Sequence, residues 1–380
     1  MRWLVGFACL FEVMLAAPLW AAAVVYQGES TLFQDTVWSG EVLVDGIVTV
    51  APGVVLEIRP GTVVRFTRMD SNRDGIGEHE LFIQGRLMAQ GTAEQPIMFT
   101  SAEATPTPGD WGALNMMASE EANLFSHCRI EYAYRGFHAH FAAARLDHCL
   151  LRFNQRGVQF QESEVEIVDS QITDNLNGLQ FRNSQVNLSR LQVKGNYWGL
   201  RGVYSEVRMV DCEVAENLVN GLNFRDSTVE MRGNRVIGNR KGLYLQRSKG
   251  RVEANLFADN SEHGIFLEDS QADLVANLVT GNGRAGVKHV NSQGVLQGNR
   301  FEHNGEYALV NDGQGAVAAQ GNWWGQRSNQ EIPSLIRDRD DRPEVGAVDW
   351  SNPLRHPPAM PAWPGQNSRL LTPSGLTEDQ

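Results

Sequence analysis

The chain has 380 residues, with 33 Lys and Arg against 45 Asp and Glu, for a formal charge of −12 at neutral pH. That acidity argues against nucleic acid, which needs a basic stripe, and against docking on anionic lipid. The 37 glycines, and an Asn-rich stretch from residue 154 onward, fit a turn-rich β protein and not a helical one.

Residues 1–23 read as a Sec signal peptide. Arg2 supplies the positive charge, the apolar run after it is interrupted by Glu12, and Ala21-Ala22-Ala23 offers a small-residue cleavage site. The run is short and lacks a basic stop-transfer flank, so a membrane anchor is the weaker reading, and no later stretch is apolar enough to span a bilayer. The mature protein is therefore expected to be exported, to the periplasm, the cell surface or the medium. It holds Cys128, Cys149 and Cys212, with no C-x-x-C spacing of a zinc or redox site.

Residues 24–120 are expected to form an N-terminal cap and the first coils. They contain the stretch DSNRDGIGEHE (70–80). Asp70, Asn72 and Asp74 place oxygens at positions 1, 3 and 5 of a calcium loop, and Gly75 allows its sharp turn. The pattern then departs: position 12 is Leu81, while Glu78 and Glu80 fall at 9 and 11. A structural Ca²⁺ held by Asp70, Asn72, Asp74, Glu78 and Glu80 is one reading. A long turn between the apolar stretches TVVRF and LFIQG is the other.

Residues 121–325 repeat. NQRGVQF (154–160) returns as NLNGLQF (175–181), and the alignment opens three columns. Gly136, Gly157, Gly178, Gly199, Gly221, Gly242, Gly264 and Gly286 follow one another at 21 or 22 residues. Asn154, Asn175, Asn196, Asn217, Asn239, Asn260, Asn282 and Asn304 do the same. A third column runs Cys128, Cys149, Ser170, Leu191, Cys212, Asn234, Asn255, Asn277 and Asn299. Between the columns lie short alternating apolar stretches, such as VEIV (165–168) and GLYL (242–245), which read as half-buried strands, about three per unit. Such a unit cannot bury its apolar face alone, but stacked units share one core. The columns then become ladders at about 4.8 Å spacing, with Asn side chains bonding one another and the turn backbone and Gly expected where φ is positive.

These repeats resemble those of the right-handed parallel β-helix, in the exported bacterial type of the pectin-lyase-like superfamily. The expected fold is all-β, a single-stranded right-handed parallel solenoid with an Asn ladder. LVDGIVTVAPGVVLEIRPGTVVRF (43–66) and LFIQGRLMAQGTAEQPIMFTS (81–101) look like the first coils of many secreted members. GDWGAL (109–114) is similar to their transition into regular coils. Residues 321–354, opening with Asn-Trp-Trp-Gly, are similar to their closing segment, so 326–356 is expected to cap the open end with a short helix. Residues 357–380 read as a flexible tail.

With the ladder accounted for, function must lie in outward columns. In the strand after each Gly, the outward residues are His138, Gln159, Gln180, Arg201, Asn223, Tyr244, Phe266 and Lys288; just before Gly they are Arg135, Arg156, Asn177, Trp198, Asn220, Lys241 and His263. Aromatic faces and amides suit sugar rings and hydroxyls, and Arg and Lys suit uronate or sulfate groups. The alternative is a solvated sheet face. A second outward column places His127, His148 and Asp169 in line, either as a transition-metal site or as a surface ladder. Cys128 and Cys149 stack in adjacent coils, either as a disulfide or as two buried thiols.

The resemblance implies three kinds of function. One is a non-catalytic exported rod that binds carbohydrate or serves a structural role, favoured by regular coils without long inserted loops. A second is a polysaccharide lyase, hydrolase or epimerase, which would need clustered carboxylates. A third is a metal-handling periplasmic protein of the NosD type, which would call for more His and Met than the 9 His and 10 Met present.

Overall fold

The computed structural model describes residues 23–119 and 121–363; the expected signal peptide (1–23) falls outside them but for its last residue, as do residues 364–380 of the expected tail. A right-handed solenoid of parallel strands fills the rest, organised in a 25-stranded and a 12-stranded sheet. One unit shows the pattern. A long strand, Arg156–Gln161, is followed by a middle strand, Glu164–Val168, and a short strand, Gln171–Thr173. Each pairs in parallel with its counterpart one coil on, at Asn177–Arg182, Gln185–Ser189 and Gln192–Lys194. Three faces result, here called long, middle and short. The inward residues alternate as the sequence pattern requires. Val158, Leu179, Leu200, Leu222 and Leu243 are buried from the long face, Ile167 and Leu188 from the middle one, Ile172 and Val193 from the short one.

The Asn ladder sits at the corner between the short and long faces. The backbone N–H of Asn175 donates to Oδ1 of Asn196 at 3.0 Å, and its Nδ2 donates to Leu151 O, Thr173 O and the same Oδ1. The buried amides of this column are paired in this way from coil to coil. The column of Cys, Ser and Asn does the same at the corner between middle and short faces, as in Cys149 N to Ser170 Oγ (2.9 Å) and Asn234 N to Asn255 Oδ1 (2.8 Å). A third ladder, absent from the sequence reading, runs through Ser163, Ser184, Ser205, Ser227, Ser248, Ser270 and Ser292 at the remaining corner. Each Ser Oγ there accepts the backbone N–H of the Ser before it at 3.0–3.1 Å.

One expectation needs correction, and of the two readings of Cys128 and Cys149 the buried thiols hold. The repeated glycines do not have positive φ; the left-handed corner residues are others, such as Glu162, Asp169 and Asp174. Gly178 is required because a Cβ there would lie 2.5 Å from Gly199 O and 3.1 Å from the Asn196 amide, so the coils could not close up. Nor are Cys128 and Cys149 bonded: both are free and buried. Their thiols donate instead to carbonyls, Cys128 to Ala89 O (3.3 Å) and Cys149 to Asp147 O (3.5 Å). Burial pushes the Cys128 thiol well above its ordinary pKa.

At the first coil, Val24–Leu32 pairs in register with residues 42–50. At the far end Trp324 stacks on Phe301 (5.0 Å), and a single 3₁₀ turn, Ile332–Leu335, buries Ile332. The tail reading departs from the structure between 357 and 363. Trp363 is 4% exposed, packed with Leu256, Ala258 and Leu278 on the outside of the short face, and its indole N–H donates to Ala254 O at 2.8 Å. No described helix is long and apolar enough to cross a membrane.

Candidate functional site

The outward columns read from the sequence line up on one face, but three of their residues, His138, Asn220 and His263, are buried. On the long face, His138, Gln159, Gln180 and Arg201 are register partners in successive coils, followed by Asn223, Tyr244, Phe266 and Lys288. Arg135, Arg156, Asn177 and Trp198 form the neighbouring column. Each long strand turns Gly and the next residue inward together, so the residues flanking that pair both face out and meet. Arg156 Nη1 donates to Gln159 Oε1 (2.7 Å), and Gln180 Nε2 donates to Asn177 Oδ1 (3.1 Å).

The stripe has two halves of different character. In the C-terminal half the charges are already matched: Lys241 pairs with Glu262 (2.9 Å) and Lys288 with Asp312 (3.1 Å). The Tyr244 hydroxyl donates to Glu268, while its ring stacks on Phe266 at 4.8 Å. In the N-terminal half they are not. Arg135, Arg156 and Arg201, with Arg182 two positions beyond Gln180, make no ion pair with a described carboxylate. Arg135 and Arg156 both lie over the Tyr134 ring, at 4.8 and 5.1 Å from its centre, and Arg182 lies over Tyr204 at 5.6 Å. Stacking holds these guanidiniums against the rings; Arg156 gives one Nη1 donor to Gln159, and the Arg135 Nε is buried without a hydrogen-bond partner. Tyr134 and Arg182 were not singled out in the sequence; Arg182 could have been, since it shares the outward parity of Gln180.

Glu80 is also misplaced by the sequence reading. It belongs to the strand Glu80–Ile83, where Asn115 Nδ2 reaches its carboxylate at 3.3 and 3.4 Å, at the head of the stripe. Burial raises its pKa. Asn115 Oδ1 lies 2.9 Å from Nδ1 of His138, whose pKa burial and the Arg135 charge lower to about 3. At neutral pH His138 is thus neutral, with Nδ1 donating to the amide oxygen. The remaining loop residues turn inward on their own backbone. Asp70 accepts from the N–H of Asp74 (3.1 Å) and Gly75 (3.0 Å), Asn72 from Asp74 (2.9 Å), and Glu78 from Ser71 (3.0 Å). Of the residues expected to hold calcium, Asp70, Asn72, Asp74 and Glu78 stay in this loop, and their carboxylates are not among the described groups whose ligand atoms lie within 4.8 Å of one another.

The ligand atoms of Asp147, His148 and Asp169 lie within 4.8 Å of one another. His148 Nδ1 contacts Asp147 Oδ1 at 2.5 Å, and His127 stacks on His148 at 4.8 Å. Arg190, however, holds both oxygens of Asp169 at 2.6 Å, so a cation at this corner would have to displace it.

Against known families, residues 111–246 and 156–304 match the "Right handed beta helix region" and residues 30–139 the "Pectate-lyase like beta helix domain". No curated protein matches the chain. Among solved structures, a variant of the periplasmic alginate epimerase AlgG is 14% identical, with 82% of this chain and 77% of that one covered and a TM-score of 0.48. The A-module of the Azotobacter vinelandii mannuronan C-5 epimerase AlgE4 is 12% identical, with 86% and 91% covered and a TM-score of 0.46. The pectate lyase Pel9A is 11% identical, with 78% and 71% covered and a TM-score of 0.32.

Proposed function

The chain belongs to the right-handed β-helix family, and from that premise we propose that it is an exported, non-catalytic rod that binds an acidic polysaccharide along the N-terminal half of its long face. One observation carries this reading: four arginines, Arg135, Arg156, Arg182 and Arg201, share that surface without a described carboxylate in ion-pair contact, on a chain of net charge −12. A protein with a surplus of acids could neutralise these cations cheaply, as it does at Lys241 and Lys288. Leaving them open makes sense where the carboxylates come from the ligand. Around them, Asn177, Gln159 and Gln180 offer donors and acceptors for hydroxyls, and Trp198 offers a ring face. Export rests on the charged and apolar pattern of residues 1–23.

The test is affinity electrophoresis in gels containing a polyuronate or a neutral glucan. Retardation by the polyuronate alone is expected, and its loss in a Trp198→Ala/Arg201→Ala variant. Equal mobility of wild type in both gels would remove the reading.

One observation favours a second reading, a polysaccharide lyase or epimerase. Glu80 and His138 share Asn115, and burial pushes both away from their charged forms, a pattern met at proton-transfer sites. Incubating the protein with polyuronate and following unsaturated product or C-5 exchange decides between them. Turnover that His138→Ala abolishes would replace the non-catalytic reading.

A further inference from the structure

The exposed large apolar residues of the regular coils are not scattered. Of the six described between residues 121 and 325, five, Phe141, Leu176, Tyr197, Tyr204 and Leu218, lie within the four coils that carry the unpaired arginines, and Val295 lies outside them. Three of them form a ledge. Leu176 (53% exposed), Tyr197 (45%) and Leu218 (69%) occupy the same corner in successive coils. Their backbone N–H groups donate to Asn154 O, Asn175 O and Asn196 O, which locks the register. Leu176 and Tyr197 directly precede outward residues of the stripe, Asn177 and Trp198, while Leu218 precedes the buried Val219 and Asn220; the Tyr197 and Trp198 rings lie 6.3 Å apart. The equivalent corner positions in the next coils are Arg240, Ser261 and Gly283, so the apolar character stops where the charge-matched half begins.

Aromatic rings stack on sugar C–H faces, but exposed leucines need an aliphatic partner to be worth burying. Beside open cations, that partner must belong to a ligand both anionic and apolar. Resting on the acidic-polysaccharide reading above, we propose that the polysaccharide carries small acyl esters, O-acetyl groups above all, and that the Leu176–Tyr197–Leu218 ledge receives them. The arginines then take the carboxylates of the chain, and the ledge takes the methyl groups projecting from its edge.

The experiment is a titration of the wild type and of a Leu176→Ser/Leu218→Ser variant with polygalacturonate, unmodified and chemically O-acetylated. The acetylated polymer is expected to bind wild type about four-fold tighter, the ratio that about 0.8 kcal/mol per buried methyl gives. In the variant the two polymers should bind alike, with the affinity for the unmodified one unchanged. Equal binding of both polymers to wild type overturns the ledge while leaving the acidic-polysaccharide reading standing. Binding of neither overturns both. Sedimentation of both proteins provides the last check: a wild-type dimer that the variant abolishes would make the ledge an interface between copies and overturn its role in recognition.

Discussion

At the residue scale, the interior amides and the outward side chains carry separate duties and should respond separately to substitution. Asn196→Ala removes the acceptor for the backbone N–H and Nδ2 of Asn175 and leaves buried donors unpaired, so a loss of roughly 1–3 kcal/mol is expected. Gln180→Ala, on the outward face of the neighbouring coil, should stay within about 0.5 kcal/mol. Denaturant melts of the two variants check the contrast. The same scale sets a pH dependence. Burial lowers the pKa of His138 to about 3 and of His263 and His289 to about 4. Between the ordinary histidine value and those values the unfolded chain binds protons that the folded chain excludes. Stability is therefore full above about pH 6.5 and should fall as the pH drops toward 4. Thermal melts across that window should show a falling Tm, less steep in His289→Leu; a Tm that rises on acidification would contradict the burial of these rings. The Asn column was legible because Asn recurs at a fixed spacing and is costly to bury unpaired. The Ser column recurs as regularly, yet a serine in a turn reads as solvated, and only the packed corner shows it buried. The glycines were read for the wrong reason, because the constraint on Gly178 comes from the carbonyl of the next coil and not from its own φ.

At the element scale, two segments outside the regular coils are where sequence reading was least secure. The loop from Asp70 to Glu78 closes through its own amides, so a calcium ion would add to an ordered turn and not create it. If Asp70, Asn72, Asp74 and Glu78 hold the ion, calcium at a hundredfold excess over its Kd should stabilise by about 2.7 kcal/mol, and EGTA should reverse the gain in a thermal melt. No response in either direction would leave the loop as a plain turn. Glu80 was assigned to this loop by spacing alone; strand parity sends it to the long face beside Asn115. The segment ending at Trp363 was read as tail because it is Pro-rich and has little apolar content. One tryptophan suffices to dock it, since Leu256 and Leu278 already offer an apolar outer surface there. In a solenoid each coil contacts only its neighbours, so docking stabilises locally. Trp363→Ala should speed proteolysis between residues 352 and 363 and leave the main unfolding transition nearly in place.

At the scale of the whole molecule, the period of 21 or 22 residues with about three short strands per unit made the architecture legible, because such units bury their apolar face only by stacking, and outward parity located the long-face stripe. Which cations on that stripe are free was not legible. It depends on whether an acid in the next coil turns toward each one, as Glu262 does toward Lys241 and as no described acid does toward Arg156 or Arg201. An acidic rod with one open cationic surface should bind a polyanion with a strong salt dependence, since the exposed arginines are screened within about 8–10 Å at physiological ionic strength. Isothermal titration of polygalacturonate into the wild type and into Arg156→Ala/Arg201→Ala tests this most directly. Saturable binding to the wild type that weakens with added salt, and a loss of roughly ten-fold or more per arginine in the variant, is the expected result. Unchanged affinity in the variant, or equal affinity for a neutral glucan, would contradict the assignment of this face to acidic polysaccharide.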